Sequence, residues 1–147
     1  MAGIMKNNLI QTNLINFIKE YSAVSGLYWV PLVRLKKDLP TASYLVHEIY
    51  ENNAIVSLEN VFKICGSTDV HMFQMDHGEY FKYDSILELL YEKDEDGYCF
   101  PWYVETFYFD SAKKWLVYVS HEGTISFTGK AIAEAAVKSI DQAYRIH

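Results

Sequence analysis

The hydrophobic and polar positions of the chain are best ordered between Pro101 and Gly129. Three runs, Trp102–Phe109, Trp115–Ser120 and Thr124–Thr128, read as β-strands. The turn Asp110-Ser111-Ala112-Lys113 separates the first two, and His121-Glu122-Gly123 separates the second and third. Connections this short join antiparallel neighbours, so the segment predicts a three-stranded meander. In the first run Trp102, Val104, Thr106 and Tyr108 alternate with Tyr103, Glu105, Phe107 and Phe109. In the second, Trp115, Val117 and Val119 alternate with Leu116, Tyr118 and Ser120. Both faces of this pair are largely apolar, which predicts helices on one face and partial cover on the other.

Helical spacing appears elsewhere. Leu9, Ile10, Leu14, Phe17, Ile18 and Tyr21 share one face behind Asn7 or Asn8 as N-cap, and that helix is expected to end before Gly26. Leu27–Leu35 is apolar with Pro31 inside it, which predicts an edge strand or two short extended pieces. Thr41 is placed to cap a helix carrying Leu45, Val46, Ile49 and Tyr50, with a strand over 44–50 as the alternative. Ser57 is placed to cap a second helix with Leu58, Val61, Phe62 and Cys65 at i, i+3, i+4 and i+7, and Gly66 as its C′ residue. Val70–Met75 reads as a strand. Ser85 and Glu88 form a capping-box pair before Ile86, Leu87, Leu89, Leu90 and Tyr91. The last element predicted is a helix over Ala131–Tyr144 with Ile132, Ala136, Val137, Ile140 and Tyr144 inward. The fold class expected is α+β: an antiparallel sheet that contains the meander, packed by helices. No repeat or linker divides it, so residues 1–147 are expected to form one domain.

Charge changes the picture most. Residues 76–110 hold ten acidic side chains (Asp76, Glu79, Asp84, Glu88, Glu92, Asp94, Glu95, Asp96, Glu105 and Asp110) against Lys82 and Lys93. That segment carries −8 and the rest of the chain +2, for a net −6. The balance disfavours a phosphate backbone as ligand and suits a basic protein. Of the twelve Tyr, eight Phe and three Trp, core filling takes most, and a subset is expected on the surface, where Tyr and Trp favour interfaces. Asp94, Glu95, Asp96, Tyr98, Trp102 and Glu105 are therefore the candidate partner-binding residues. Glu105, the only charged residue in the first meander strand, is either at an exposed rim, paired with Lys or Arg, or in a pocket with a raised pKa, and one of the first two is expected. No apolar run is long enough to span a membrane and no signal peptide is visible, so a cytoplasmic location is expected.

Candidate chemistry is sparse. His121 and Glu122 adjoin in a tight turn and form a possible polar site, but a turn closed by Gly123 explains them structurally. His71, Asp76 and His77 lack a third metal ligand at a suitable spacing, so no metal is expected. His47-Glu48 is a weaker pair still. Cys65 reads as a core thiol, and Cys99 lies among acids that disfavour a reactive thiolate. No nucleophile elbow and no phosphate-cradling glycine loop occurs, and no cofactor is expected.

The segment from Phe107-Tyr108-Phe109-Asp110 through Trp115-Leu116-Val117-Tyr118-Val119-Ser120-His121-Glu122-Gly123 to Gly129, followed by a helix, resembles the end of small bacterial immunity proteins of polymorphic-toxin systems. The SMI1/KNR4-like group is the nearest named family, although the Asn-Gly-Gly type motif that follows its first helix is lacking. The resemblance implies a small, acidic, cytoplasmic, cofactor-free protein that neutralises a toxin, often a basic nuclease, by covering its surface. It transfers no catalytic residue. A small enzyme or ligand-binding domain with a pocket between sheet and helices, and a homo-oligomer (a homodimer for example) built through the aromatic sheet face, remain as alternatives.

Overall fold

The computed structural model describes residues 4–5, 16, 24–25, 28–29, 40–51, 55–66, 69–74, 79–92, 105–120 and 123–146. The expected helix over Leu9–Tyr21 lies outside the described residues, and of Leu27–Leu35 only Tyr28–Trp29 is described. Among the described residues the strands are β1 (Ile4–Met5), β2 (Val24–Ser25), β3 (Tyr28–Trp29), β4 (Thr41–Leu45), β5 (Val70–Gln74), β6 (Glu79–Tyr83), β7 (Thr106–Phe109), β8 (Leu116–Val119) and β9 (Thr124–Thr128). The helices are α1 (Val46–Glu51), α2 (Ile55–Cys65), α3 (Ile86–Tyr91) and α4 (Lys130–Ser139). The main sheet is seven-stranded, in the order β1-β6-β5-β7-β8-β9-β4, and every pairing in it is antiparallel. The fold is α+β with the expected meander, β7-β8-β9, at its centre.

Turn chemistry sets the meander's register. Ser120 N–H donates to Thr124 O at 2.9 Å and Gly123 N–H to Ser120 O at 3.2 Å, closing the loop 121–123. Gly123 has φ +78°, the left-handed conformation such a loop requires. The other connection is a turn in which Lys113 N–H donates to Asp110 O at 3.1 Å and Lys114 N–H to Asp110 Oδ1 at 3.2 Å.

One face of the sheet is largely apolar. Ala42, Tyr44, Met72, Tyr108, Val117, Val119, Ile125 and Phe127 pack with Ile49 of α1, Leu58, Val61 and Phe62 of α2, Leu89 and Leu90 of α3, and Ile132 and Ala136 of α4. Trp115 belongs to this cluster, 2% exposed, with its ring 5.5 Å from that of Phe62. On the opposite face Phe73, Phe107, Phe109, Leu116 and Tyr118 are also buried, beside polar pairs. Ser43 and Ser126 share a hydrogen bond of 2.7 Å, Thr41 and Thr128 one of 3.2 Å, and Ser120 and Thr124 one of 2.7 Å. Burial of these central residues is more than the partial cover their alternation predicts, while Thr41 and His71 nearer the sheet's sides are only partly buried.

Several expectations are corrected. Thr41 does not cap a helix: Thr41–Leu45 is β4, paired along its length with β9, and the helix begins only at Val46. The strand forms there because pairing with β9 buries Ala42 and Tyr44 fully. Ser57 is not an N-cap, since α2 starts two residues earlier at Ile55, although Gly66 ends it as expected with φ +78°. The final helix stops at Ser139, with a 3-10 turn at Gln142–Tyr144, and Val137 is 39% exposed rather than inward. The first meander strand begins at Thr106, because Glu105 has φ +55° and leaves the ladder. Ser85 does cap α3, accepting from Leu87 N–H at 3.2 Å. Beyond β4, Ile146 N–H donates to Ser43 O at 2.8 Å and Arg145 bridges Tyr44, so part of that sheet edge is occupied by the chain itself.

Candidate functional site

The register of β5, β6 and β7 assembles a polar cluster that spacing along the chain does not reveal. His71 on β5 lies across from Lys82 of β6 and Phe109 of β7. Its ring stacks on Phe109, with centroids 5.1 Å apart, and on Tyr80 at 5.5 Å. Nδ1 faces the Tyr80 hydroxyl, and Nε2 lies 2.9 Å from Ser111 Oγ and 3.3 Å from Asp69 Oδ2. Ser111 Oγ in turn donates to Asp69 Oδ2.

The hydrogen bonds assign the protons. Ser111 has one hydroxyl proton and gives it to Asp69, so its oxygen can only accept from His71. Nε2 therefore carries the ring proton, and Nδ1 of the neutral imidazole accepts from Tyr80. Burial holds the His71 pKa below its ordinary value, and the opposing pull of Asp69 does not offset it. Burial pushes the Asp69 carboxyl up, but the hydroxyl and amide of Ser111 and the adjacent imidazole together hold it below its usual value. Burial and the Asp69 charge both raise Tyr80.

Serine, histidine and aspartate meet here, yet the arrangement is not that of a nucleophilic triad. A triad places the carboxylate on the ring nitrogen opposite the serine, so that the imidazole accepts the serine proton. In this cluster Asp69 and Ser111 share Nε2, and the imidazole donates. What the geometry does is clasp three pieces of chain, β5, β6 and the β7–β8 turn. His77 and Asp76 lie outside the described residues. Among the described residues no three of His, Cys, Asp and Glu stand close enough to hold a metal ion.

The acidic segment is placed differently. Its described members on and beside α3 are Asp84, whose side chain is 92% exposed, Glu88 and Glu92. Leu87 and Tyr91, at i and i+4 on that helix, are 45% and 43% exposed. With Glu88 and Glu92 they line an open groove of about 350 Å³. The Tyr91 hydroxyl donates to Glu59 Oε2 of α2 at 3.0 Å, and Glu59 also pairs with Lys63 at 3.1 Å. Those two contacts, Lys63 first, hold the Glu59 carboxyl below its ordinary pKa. Glu92 Oε2 is buried and, among the described residues, has no hydrogen-bond partner.

Of the residues named from sequence, Asp94, Glu95, Asp96, Tyr98, Trp102, His121 and Glu122 lie outside the described residues, as does Cys99. Glu105 is corrected. It is not at an exposed rim but 8% exposed, and accepts a 2.5 Å hydrogen bond from the Tyr118 hydroxyl. Cys65 is partly buried against the core, as its spacing predicts. Among the described residues no helix is long and apolar enough to cross a membrane. Comparison of the chain with protein-family models, with curated proteins and with solved structures finds no match.

Proposed function

We propose that this chain is a non-catalytic protein-binding module that docks a basic protein through the acidic face around α3, as an immunity protein covers a toxin. One observation carries the reading: Leu87 and Tyr91, nearly half exposed, stand beside Glu88 and Glu92 in one groove. Apolar and aromatic surface supplies anchors that lose water on contact, while the carboxylates speed encounter with a positive partner. The −8 charge of residues 76–110 extends that field, and Asp94-Glu95-Asp96, Tyr98 and Trp102 continue it in sequence from Glu92. The resemblance of residues 107–129 to immunity proteins supports the same role, with a cytoplasmic location. An enzymatic reading has less support, because the His71 imidazole donates to Ser111 instead of accepting its proton.

The test is co-expression with the product of the adjacent gene, purification of any complex, and hydrogen exchange on the complex and on the free chain. The expected result is a complex with new protection at residues 86–92. Protection confined to other surfaces, or a small molecule that raises Tm in a concentration-dependent way with no protein partner, would overturn the proposal.

A further inference from the structure

We infer that residues 140–146, the segment after α4, are a strap that keeps the edge strand β4 from pairing with a second copy of this chain. The inference is independent of the docking role proposed above. The main sheet ends in β1 on one side and β4 on the other. Edge backbone is a template for a further strand, and proteins blunt it by shortening the strand, charging it or covering it. β1 is two residues long among the described residues. β4 has five, Thr41-Ala42-Ser43-Tyr44-Leu45, without a charge, a glycine or a proline. Neither shortness nor charge protects it, so cover is the device left, and the strap supplies it.

Ser43 shows which way the edge faces. Its carbonyl accepts from Ile146 N–H at 2.8 Å, so its backbone groups point away from β9, and those of Leu45, two residues on, point the same way. Tyr44 and Arg145 form an isolated antiparallel bridge at this point. Upstream, Ile140 is buried in the core and Tyr144 packs against it. Asp141 accepts from Ala143 N–H at 2.9 Å and opens the 3-10 turn. The Gln142 side-chain amide donates to the carbonyls of Val137 and Ile140 at 3.0 and 3.1 Å, and lies 3.4 Å from the Tyr44 hydroxyl. Yet Asp141, Gln142, Ala143, Arg145 and Ile146 are exposed, while Ala42, Ser43 and Tyr44 beneath them are buried. A segment held by a few exposed contacts opens at lower free energy than the buried strand it covers.

A second copy fits the uncovered edge. Identical strands related by a two-fold axis pair antiparallel, the sense of every pairing in this sheet. With Ser43 on the axis, Ser43 meets Ser43, each Ala42 meets a Tyr44, and each Thr41 meets a Leu45. No like charges oppose one another in that register, so nothing in β4 itself resists the pairing.

The test compares the parent chain with Gln142→Ala/Ile146→Pro. Proline removes the N–H that Ser43 receives. Arg145, at φ −75° and ψ 134°, already has the extended backbone that a residue before proline adopts. Light scattering over a range of protein concentrations gives the mass, hydrogen exchange at the Ser43 and Leu45 amides locates the contact, and melting temperature shows that the variant is folded. The expected result is a mass about twofold that of the parent at high concentration, returning to the parent's on dilution. Protection of the Ser43 and Leu45 amides should rise with concentration alongside it. A folded variant with the parent's mass at every concentration overturns the inference. So does a gain in mass without that protection, or an aggregate that dilution does not reverse. If the double variant is unfolded, Ile146→Pro alone, which loses a single hydrogen bond, is measured in its place and read by the same outcomes.

Discussion

The phenol of Tyr118 on β8 donates a 2.5 Å hydrogen bond to Oε2 of Glu105, a carboxylate on the side of the sheet opposite the helix-covered core. Glu105 precedes β7 with φ +55°, a conformation that side chains other than glycine rarely adopt. The ring that carries this donor stacks on Phe107, with centroids 4.5 Å apart. Removing the donor leaves a buried carboxyl oxygen short of a partner. Tyr118→Phe is therefore expected to cost about 1–3 kcal/mol in urea melts, although it removes a single oxygen. A loss below about 0.5 kcal/mol would mean that Glu105 does not depend on that donor.

Trp115 closes the helix side of the sheet against Phe62. Trp115→Ala leaves a cavity at the junction of β8 and α2 and should lower stability by about 3–5 kcal/mol. A loss under about 1 kcal/mol would place the ring outside the core.

Gly129 supports the same corner through backbone alone. Its φ is +122°, and a Cβ there would stand 2.9 Å from Lys114 O and 3.2 Å from the Cα of Trp115. Gly129→Ala is therefore expected to cost about 1–3 kcal/mol, and to shift amide resonances at Lys114 and Trp115. An alanine variant as stable as the parent, with those resonances in place, would show that the approach is looser.

His71 makes stability depend on pH. Its pKa is lowered from 6.5 on folding, so the unfolded chain binds the proton more readily than the native one. Stability therefore rises with pH between the depressed native value and 6.5, and falls as the pH drops through that window. Asp69 acts lower down. Its depressed pKa contributes stability above 3.8 that is lost as the pH falls through the native value. Urea midpoints from about pH 4.5 to 7.5 should climb in the native chain, and climb less in His71→Gln. An unchanged slope in that variant would assign the dependence to other groups.

The sequence is explicit where structure is local. The alternation of Phe107 to Phe127 with Gly123 at a tight turn determines the meander, and Ser85 marks the start of α3 because its cap acts over two residues. It is silent where structure depends on register. Thr41–Leu45 has a pattern open to helix or strand, and only pairing with β9, more than eighty residues away, decides it. Glu79–Tyr83 carries no plain alternation, since Tyr80 and Phe81 adjoin, and its partner β5 supplies the order. The Asp69–His71–Ser111–Tyr80 clasp joins residues as many as 42 positions apart, so no spacing rule could have found it. By contrast, the acidic excess near α3 was visible from composition, and the fold adds the exposed Leu87 and Tyr91 beside it.

The central claim, an acidic docking face on α3, is tested most directly by the rate at which the chain associates with the co-purified partner. Stopped-flow measurements at several salt concentrations would compare the native chain with Glu88→Gln/Glu92→Gln. The expected result is association slowed by about tenfold at low salt, with a flatter salt dependence, because the two charges steer encounter. The same rate and the same salt dependence in both proteins would contradict the claim.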